Sequence, residues 1–254
     1  MDRRRPDDER RARLWSRVCG LAADEGVPAR IRHVCLAGTE VLHAKDFVVY
    51  RTADAGRSEP AGVVGPLGDR VSEAEITFGE GPAVDSLREE YPVVAADLAA
   101  AENGARWPVF TPFARAEGVA GVLAFPVMMG AVAVGCVEAL RPVATPCTEA
   151  EVVDGLLLAD AAMLLLLRAE PPLLGADPFA DAVEARWATV HQATGVVSGQ
   201  MGSDLVTAFV RLRAHAYRTG RRLADVANDV LARELRFHTD PEAGPDPKSG
   251  AGRG

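Results

Sequence analysis

The stretch from Asp177 to Phe237 constrains the fold more tightly than any other part of the chain. Apolar or small residues recur there at alternating spacings of three and four: Val183, Trp187, Val190, Thr194, Val197 and Met201. Such spacing marks one face of a helix. Asp177 is a candidate N-cap and Pro178 a first-turn proline, while Gly202 supplies a stop and Ser203 or Asp204 the next cap. A second stripe, Leu205, Ala208, Phe209, Leu212 and Ala216, ends at Gly220, and a third runs through Leu223, Val226, Ala227, Val230 and Leu231. Three amphipathic helices joined by very short turns predict a compact all-α module.

The same helices carry a family resemblance. Val190-His191-Gln192-Ala193-Thr194-Gly195-Val196-Val197, then Ala208-Phe209, Leu212-Arg213-Ala214 with Ala216, and Arg222-Leu223-Ala224-Asp225-Val226-Ala227 together resemble an ANTAR domain. ANTAR domains are RNA-binding output modules of bacterial regulators that act as transcription antiterminators. The resemblance therefore implies an RNA partner, a hairpin in a nascent transcript, and, because two short hairpins are the family's usual target, a homodimer. Many family members carry lysine after the Gln-Ala pair. Thr194 stands there in this chain, so the basic charge is expected from the second and third helices instead.

Arg211, Arg213, Arg218, Arg221 and Arg222 are the candidate RNA-binding cations, since a guanidinium can grip phosphate with two donors or stack on a splayed base. A solvated helix face is the plainer reading of the same arginines. Gln192, Gly195, Ser198 and Gln200 lie on or beside the signature of the first helix and complete the candidate RNA-binding set. A glycine in mid-helix costs about 1 kcal/mol relative to alanine, which suggests that another helix or RNA comes close to Gly195. Trp187, Val190, Val197, Met201, Phe209, Leu212 and Val226 are expected to pack inside the module. Charge supports a polyanion-binding tail: residues 181–237 carry eight basic and six acidic side chains, whereas the remainder carries 20 basic and 30 acidic. Ordinary surface variation would also account for that split.

The preceding chain mixes strands and helices. Residues 1–8 are expected to be loose, followed by helices over Glu9 to Ala23 and Ile31 to Val41, the second weakened by Gly38. Phe47-Val48-Val49-Tyr50 reads as a strand and Gly62 to Pro66 as part of another. Ile76 to Pro82 reads as a turn-rich loop before a short helix over Ala83 to Leu87. Val93 to Leu98 is a short strand and Thr111 to Glu117 a helix. Val119 to Val127 and Ala131 to Leu140 form paired strands, and Thr148 with Glu151 opens the last helix as a capping box.

This order predicts an α+β domain, an antiparallel sheet flanked by helices. Gly79-Glu80-Gly81-Pro82, Ala96-Asp97-Leu98, Arg106-Trp107-Pro108 with the downstream Ala-Glu-Gly, and the terminal hairpin resemble, in that order, the GAF domains found beside ANTAR domains in actinobacterial regulators. The expected organisation is thus a GAF-like sensor over residues 9–169, a linker over 170–176 marked by Pro171, Pro172 and Gly175, an ANTAR-like domain over 177–237, and a disordered tail over 238–254. A GAF-like fold implies an unidentified small ligand. Phe47, Tyr50, Phe78, Trp107, Phe110 and Phe125 are the aromatic side chains that could line its pocket, or simply fill the core.

Little points to catalysis. The five histidines are scattered, and Ser198 lies in Val-Val-Ser-Gly, which is not the GxSxG nucleophile elbow. Gly79-Glu80-Gly81-Pro82 lacks the lysine of a phosphate-binding loop and is expected to make a tight turn. Cys19, Cys35, Cys136 and Cys147 show no metal-binding spacing, so neither a metal nor a cofactor is expected. The apolar run Leu156 to Leu167 is too short to span a bilayer and the N-terminus is not a signal peptide, which predicts a cytoplasmic protein with reduced thiols. Two further readings remain open at this point: a DNA-binding helix-turn-helix over Leu205 to Leu231, and a ligand-sensing dimerisation module without nucleic-acid binding.

Overall fold

A computed structural model describes residues 4–53, 57–168 and 178–238. The chain divides into two compact units, Met1–Trp187 and Ala188–Gly254. The first is an α+β unit built on a five-stranded antiparallel sheet, and the second is all-α. Both classes are those expected from the sequence.

In the first unit the strands are β1 (Asp46–Ala53), β2 (Arg57–Val64), β3 (Val93–Ala95), β4 (Gly121–Met129) and β5 (Val132–Arg141), in the spatial order β2-β1-β5-β4-β3. The hairpins β1/β2 and β4/β5 are local, and the central pairing of β1 with β5 aligns Phe47 with Ala139 and Tyr50 with Cys136. Successive side chains of a strand alternate between faces. Phe47, Val49, Leu123, Phe125, Val127, Val137 and Ala139 share a core with α1 (Arg4–Asp24), α2 (Ile31–Val41) and α7 (Glu149–Leu166), through residues such as Val18, Val34 and Leu158. The alternate residues Tyr50, Cys136 and Glu138 therefore take the opposite face. There α3 (Pro66–Phe78) packs on β1 and β2, and α4 (Pro82–Glu89) packs on β4 and β5.

Three elements differ from the sequence expectation. Helix α1 begins at Arg4 instead of Glu9; it is tied to α7 by Arg10, whose Nε and Nη2 donate to Asp154, and by Arg11 paired with Asp160. Helix α3 fills the stretch after Pro66 for which no element was expected and runs into the first residues of the expected Ile76–Pro82 loop. Its start is capped from another element: the Asp46 carboxylate of β1 accepts from Leu67 N at 2.8 Å and Gly68 N at 2.9 Å. Asp69, Glu73 and Glu75 are buried along it, so its inward face does not look apolar. A short α5 (Ala101–Arg106) also lies in the stretch before α6 (Phe110–Ala116). By contrast, Gly38 does not interrupt α2. A Cβ there would overlap the Phe47 ring, so the missing side chain is what lets the helix sit on the sheet.

Helix α8 (Pro178–Met201) contains the division between the units, and α9 (Leu205–Thr219) and α10 (Leu223–Leu231) follow it. Trp187 is buried, as the helical spacing predicts, and is the last residue of the first unit. Asp204 caps α9 by accepting from Thr207 N at 2.8 Å, and Gly220 ends it in the left-handed conformation at φ 63°. Val190, Ala193, Thr194, Val197, Phe209, Leu212, Leu223, Val226 and Val230 are buried, in register with the three stripes, while Met201 is half-buried. The linker over 170–176, the Asp177 cap and residues 239–254 of the tail lie outside the described residues.

Candidate functional site

Two places gather candidate functional side chains, one in each unit. In the helical unit it is a cationic surface around α9 and its turn into α10. Arg211 and Arg218 are seven residues apart on α9 and both exposed; Arg221 and Arg222 follow at the turn, with Arg222 as the N-cap of α10. Arg221 is ion-paired with Asp229 at 2.5 Å, and Arg218 Nη2 lies 3.1 Å from His215 Nδ1. Burial, with Arg218 and Arg221 nearby, holds His215 below the ordinary histidine value, so the ring stays neutral around physiological pH and adds no charge. Arg213 differs from its neighbours. Its guanidinium lies 5.7 Å from the Phe209 ring centroid, its Nε is buried without a hydrogen-bond partner, and burial lowers its pKa.

The candidates on α8 divide in the same way. Gln192 is exposed. Gly195 is exposed too, with nothing within 4 Å of where a Cβ would be, so no neighbouring helix accounts for that glycine. Ser198 Oγ donates to Ser203 O at 2.6 Å and fixes the turn into α9. Gln200 Oε1 accepts from Phe237 N at 2.9 Å, which ties the chain after α10 to the end of α8; the Phe237 ring also meets His215 edge-on, with centroids 5.5 Å apart. Thr194, in the position where a lysine is common, is buried and donates from Oγ1 to Val190 O at 2.8 Å. The structure thus gathers Arg211, Arg218, Arg221 and Arg222 along one helix and the turn that follows it. Ser198, Gln200 and Arg213 have structural contacts. His215, Asp229 and Phe237 were not found from sequence, because their partners are fixed only when the turn closes.

In the first unit a polar cluster is buried on the sheet face under α3 and α4. The Tyr50 hydroxyl lies 2.7 Å from Glu75 Oε2 and 2.8 Å from Glu138 Oε2. Ala83 N donates to Glu75 Oε1 at 3.1 Å. Gly81, at φ 140°, brings the Gly79–Pro82 turn against the same carboxylate, and a Cβ there would overlap it. Burial first, and Glu138 second, push Glu75 well above the ordinary carboxylate range. Burial pushes Glu138 up to about 7. Burial and the two carboxylates also raise Tyr50 and Cys136. Glu138 could have been noticed as the lone acidic residue in an apolar strand, but its partner on α3 could not.

The aromatic candidates are not brought together. Phe47 and Phe125 belong to the core under α1, α2 and α7, whereas Tyr50 is part of the polar cluster. Trp107 and Phe110 are buried edge-to-face at 6.3 Å, and Trp107 Nε1 donates to Asp85 at 3.0 Å. Phe78 stacks edge-to-face on Phe113 at 5.6 Å. Among the described residues, no group of three or more His, Cys, Asp or Glu is placed to hold a metal ion, and no helix is long and apolar enough to cross a membrane.

Comparison with known proteins follows the same division. Residues 180–231 match the ANTAR domain family model. No curated protein matches the chain. Similar solved structures include the GAF domain of a phosphoenolpyruvate-protein phosphotransferase from Coxiella burnetii, at 15% identity and a TM-score of 0.45, covering 63% of this chain and 95% of that one. The GAF domain of the corresponding Acinetobacter protein has 10% identity and a TM-score of 0.45, covering 61% and 94%. A free methionine-R-sulfoxide reductase from Thermoplasma acidophilum has 15% identity and a TM-score of 0.43, covering 54% and 90%. The fold is defined by the sheet order and helix placement above, and nothing about ligand or activity passes from these structures to this chain. An ANTAR-type helical domain on an α+β unit is the architecture of a regulator.

Proposed function

We propose that this chain is a non-enzymatic regulator in which a GAF-like sensor, residues 9–169, controls an ANTAR-like domain, residues 177–237, that binds a hairpin in a nascent transcript and acts as an antiterminator. The observation that carries this reading is the ANTAR match over residues 180–231, together with the exposed arginines at the α9–α10 turn inside it. Phosphate binding is an electrostatic, multi-contact interaction, and an arginine row on one helix and turn suits it. Tyr217, half exposed beside Arg218, offers a ring on which an unstacked loop base can rest. By the resemblance, two hairpins are engaged by a homodimer in the cytoplasm, and the sensor acts by shifting the population of dimer-competent conformers.

Electrophoretic mobility shift with the full-length chain tests this directly. A hairpin RNA is expected to shift at low salt, and duplex DNA of equal length to shift far less. Equal binding to duplex DNA would replace the reading with a DNA-binding one, and no shift with any structured RNA at low salt would leave a sensor whose helices only dimerise.

A further inference from the structure

The match to the ANTAR family model ends at residue 231, where α10 also ends, but the described chain continues to residue 238. Those residues are built onto the helices. Arg233 takes the left-handed conformation at φ 65°, which a non-glycine residue rarely adopts. At that bend Glu234 N and Leu235 N both donate to Asp229 O of α10, at 2.9 and 3.1 Å. Phe237 N then donates to Gln200 Oε1 of α8 at 2.9 Å, and the Phe237 ring meets His215 of α9 with centroids 5.5 Å apart. Residues 232–238 are thus a strap tied to all three helices.

The strap ends at the cationic surface. His215, which Phe237 covers, lies 3.1 Å from Arg218 Nη2, so the strap comes within one side chain of the arginine row. Arg233 and Arg236 are both exposed, and among the described residues neither has a carboxylate partner or a hydrogen bond from its side chain. The strap's one acid, Glu234, acts with Asp229 and Asp225 on Arg221 instead. Exposed arginines of the first unit are different: Arg11, Arg17, Arg70 and Arg106 each hold a carboxylate of the fold. A guanidinium that the fold leaves uncompensated keeps its paired donors for a phosphate.

We propose that this strap, beyond the stretch that matches the family, is a further part of the RNA-binding surface: Arg233 and Arg236 each take a backbone phosphate of RNA lying on the α9–α10 turn, and Gln200 and Phe237 are the positioning residues that hold the strap there. This role rests on the regulator reading above and extends its RNA site. Order before binding is what the strap contributes. A loose cationic tail loses backbone and rotamer freedom when it grips a phosphate, whereas a tied segment has already lost it on folding. Gln200 acts through the Phe237 backbone and does not touch the RNA.

The test is fluorescence anisotropy of a labelled stem-loop RNA with the full-length chain over a salt series. Arg233→Ala with Arg236→Ala should weaken binding and flatten the slope of log K against log salt by about 1.4–1.8 units, two phosphate contacts' worth, while circular dichroism stays helical. If Arg233→Ala disturbs the bend, Arg236→Ala alone decides, with an expected change of roughly 0.7–0.9 units. Arg13→Ala with Arg115→Ala, both exposed on the first unit, removes the same charge and should leave the slope unchanged. Gln200→Ala should weaken binding in the wild-type chain but add nothing once both strap arginines are gone, because it acts only through them. An unchanged slope in the strap variant, equal flattening by the first-unit pair, or additive loss from Gln200→Ala overturns the proposal. Absence of RNA binding by the wild-type chain is a different failure: it falls on the regulator reading and takes the strap's role with it.

Discussion

The two units handle charge in opposite ways. In the helical unit the charges that matter are arginines at the surface, where water already solvates them and another molecule's phosphates can replace that water. In the α+β unit they are two glutamates with no solvent exposure, held within hydrogen-bond distance of one tyrosine hydroxyl. An exposed cation costs the fold almost nothing and can be removed without unfolding it. A buried acid is costly unless it is protonated or partnered, so it couples stability to pH and to whatever enters. The difference teaches where to look for output and where for input: binding chemistry can sit on the outside of a stable bundle, while a sensed signal needs a group whose state the fold itself feels.

The largest expected effect separates core from pocket among the aromatic residues. Phe125→Ala should destabilise the first unit by about 3–5 kcal/mol, because the ring fills the layer between the sheet and α7. Denaturant unfolding measures this, and a loss below 1 kcal/mol would place Phe125 at a ligand pocket instead. Next, replacing Arg211, Arg218 and Arg222 together by alanine should flatten the salt dependence of RNA binding by about two units in log K per log salt, since each lost phosphate contact contributes roughly 0.7–0.9. The helical far-ultraviolet signal should not change. An unchanged slope would move the RNA interface off this helix.

The comparison sharpens further with pH. The buried acids have folded-state pKa values raised above the unfolded range, so their contribution to stability is full below about pH 4.3 and is lost as pH rises through the folded values, near 7 for Glu138. Stability of the first unit should therefore fall by up to about 1.4 kcal/mol per pH unit, for each proton retained, between pH 4.5 and 7. Glu138→Gln should reduce that slope. The second unit, lacking such a pair among its described residues, should show no decline over this window in a fluorescence or calorimetric melt resolved by unit. The smallest effect tests an ordinary helix end. Thr148→Ala removes the side chain that accepts from Glu151 N at 3.2 Å and should cost about 1 kcal/mol, independent of pH above 5. A larger loss would mean that the capping box also holds the Arg141–Glu151 pair beneath it.

The sequence by itself determined the helical module. Its stripes, the Asp204 cap and the Gly220 stop are local signals with helical period, and the structure places all three helices between them. It also determined α2, α7, the β4/β5 hairpin and the α+β class, because alternation and capping act within a few residues. Only the tertiary structure decided α3, whose cap comes from Asp46 on a distant strand and whose buried face is acidic, so that neither capping nor periodicity could announce it. It decided that Thr194 packs, that Ser198 and Gln200 brace turns, and that Phe47 and Tyr50, three residues apart on one strand, serve opposite faces of the sheet. It alone brought Tyr50, Glu75 and Glu138 to one point from two strands and a helix. A local pattern can fix which face a residue takes, but which partner meets it there depends on contacts far apart in the chain, and those exist only after folding.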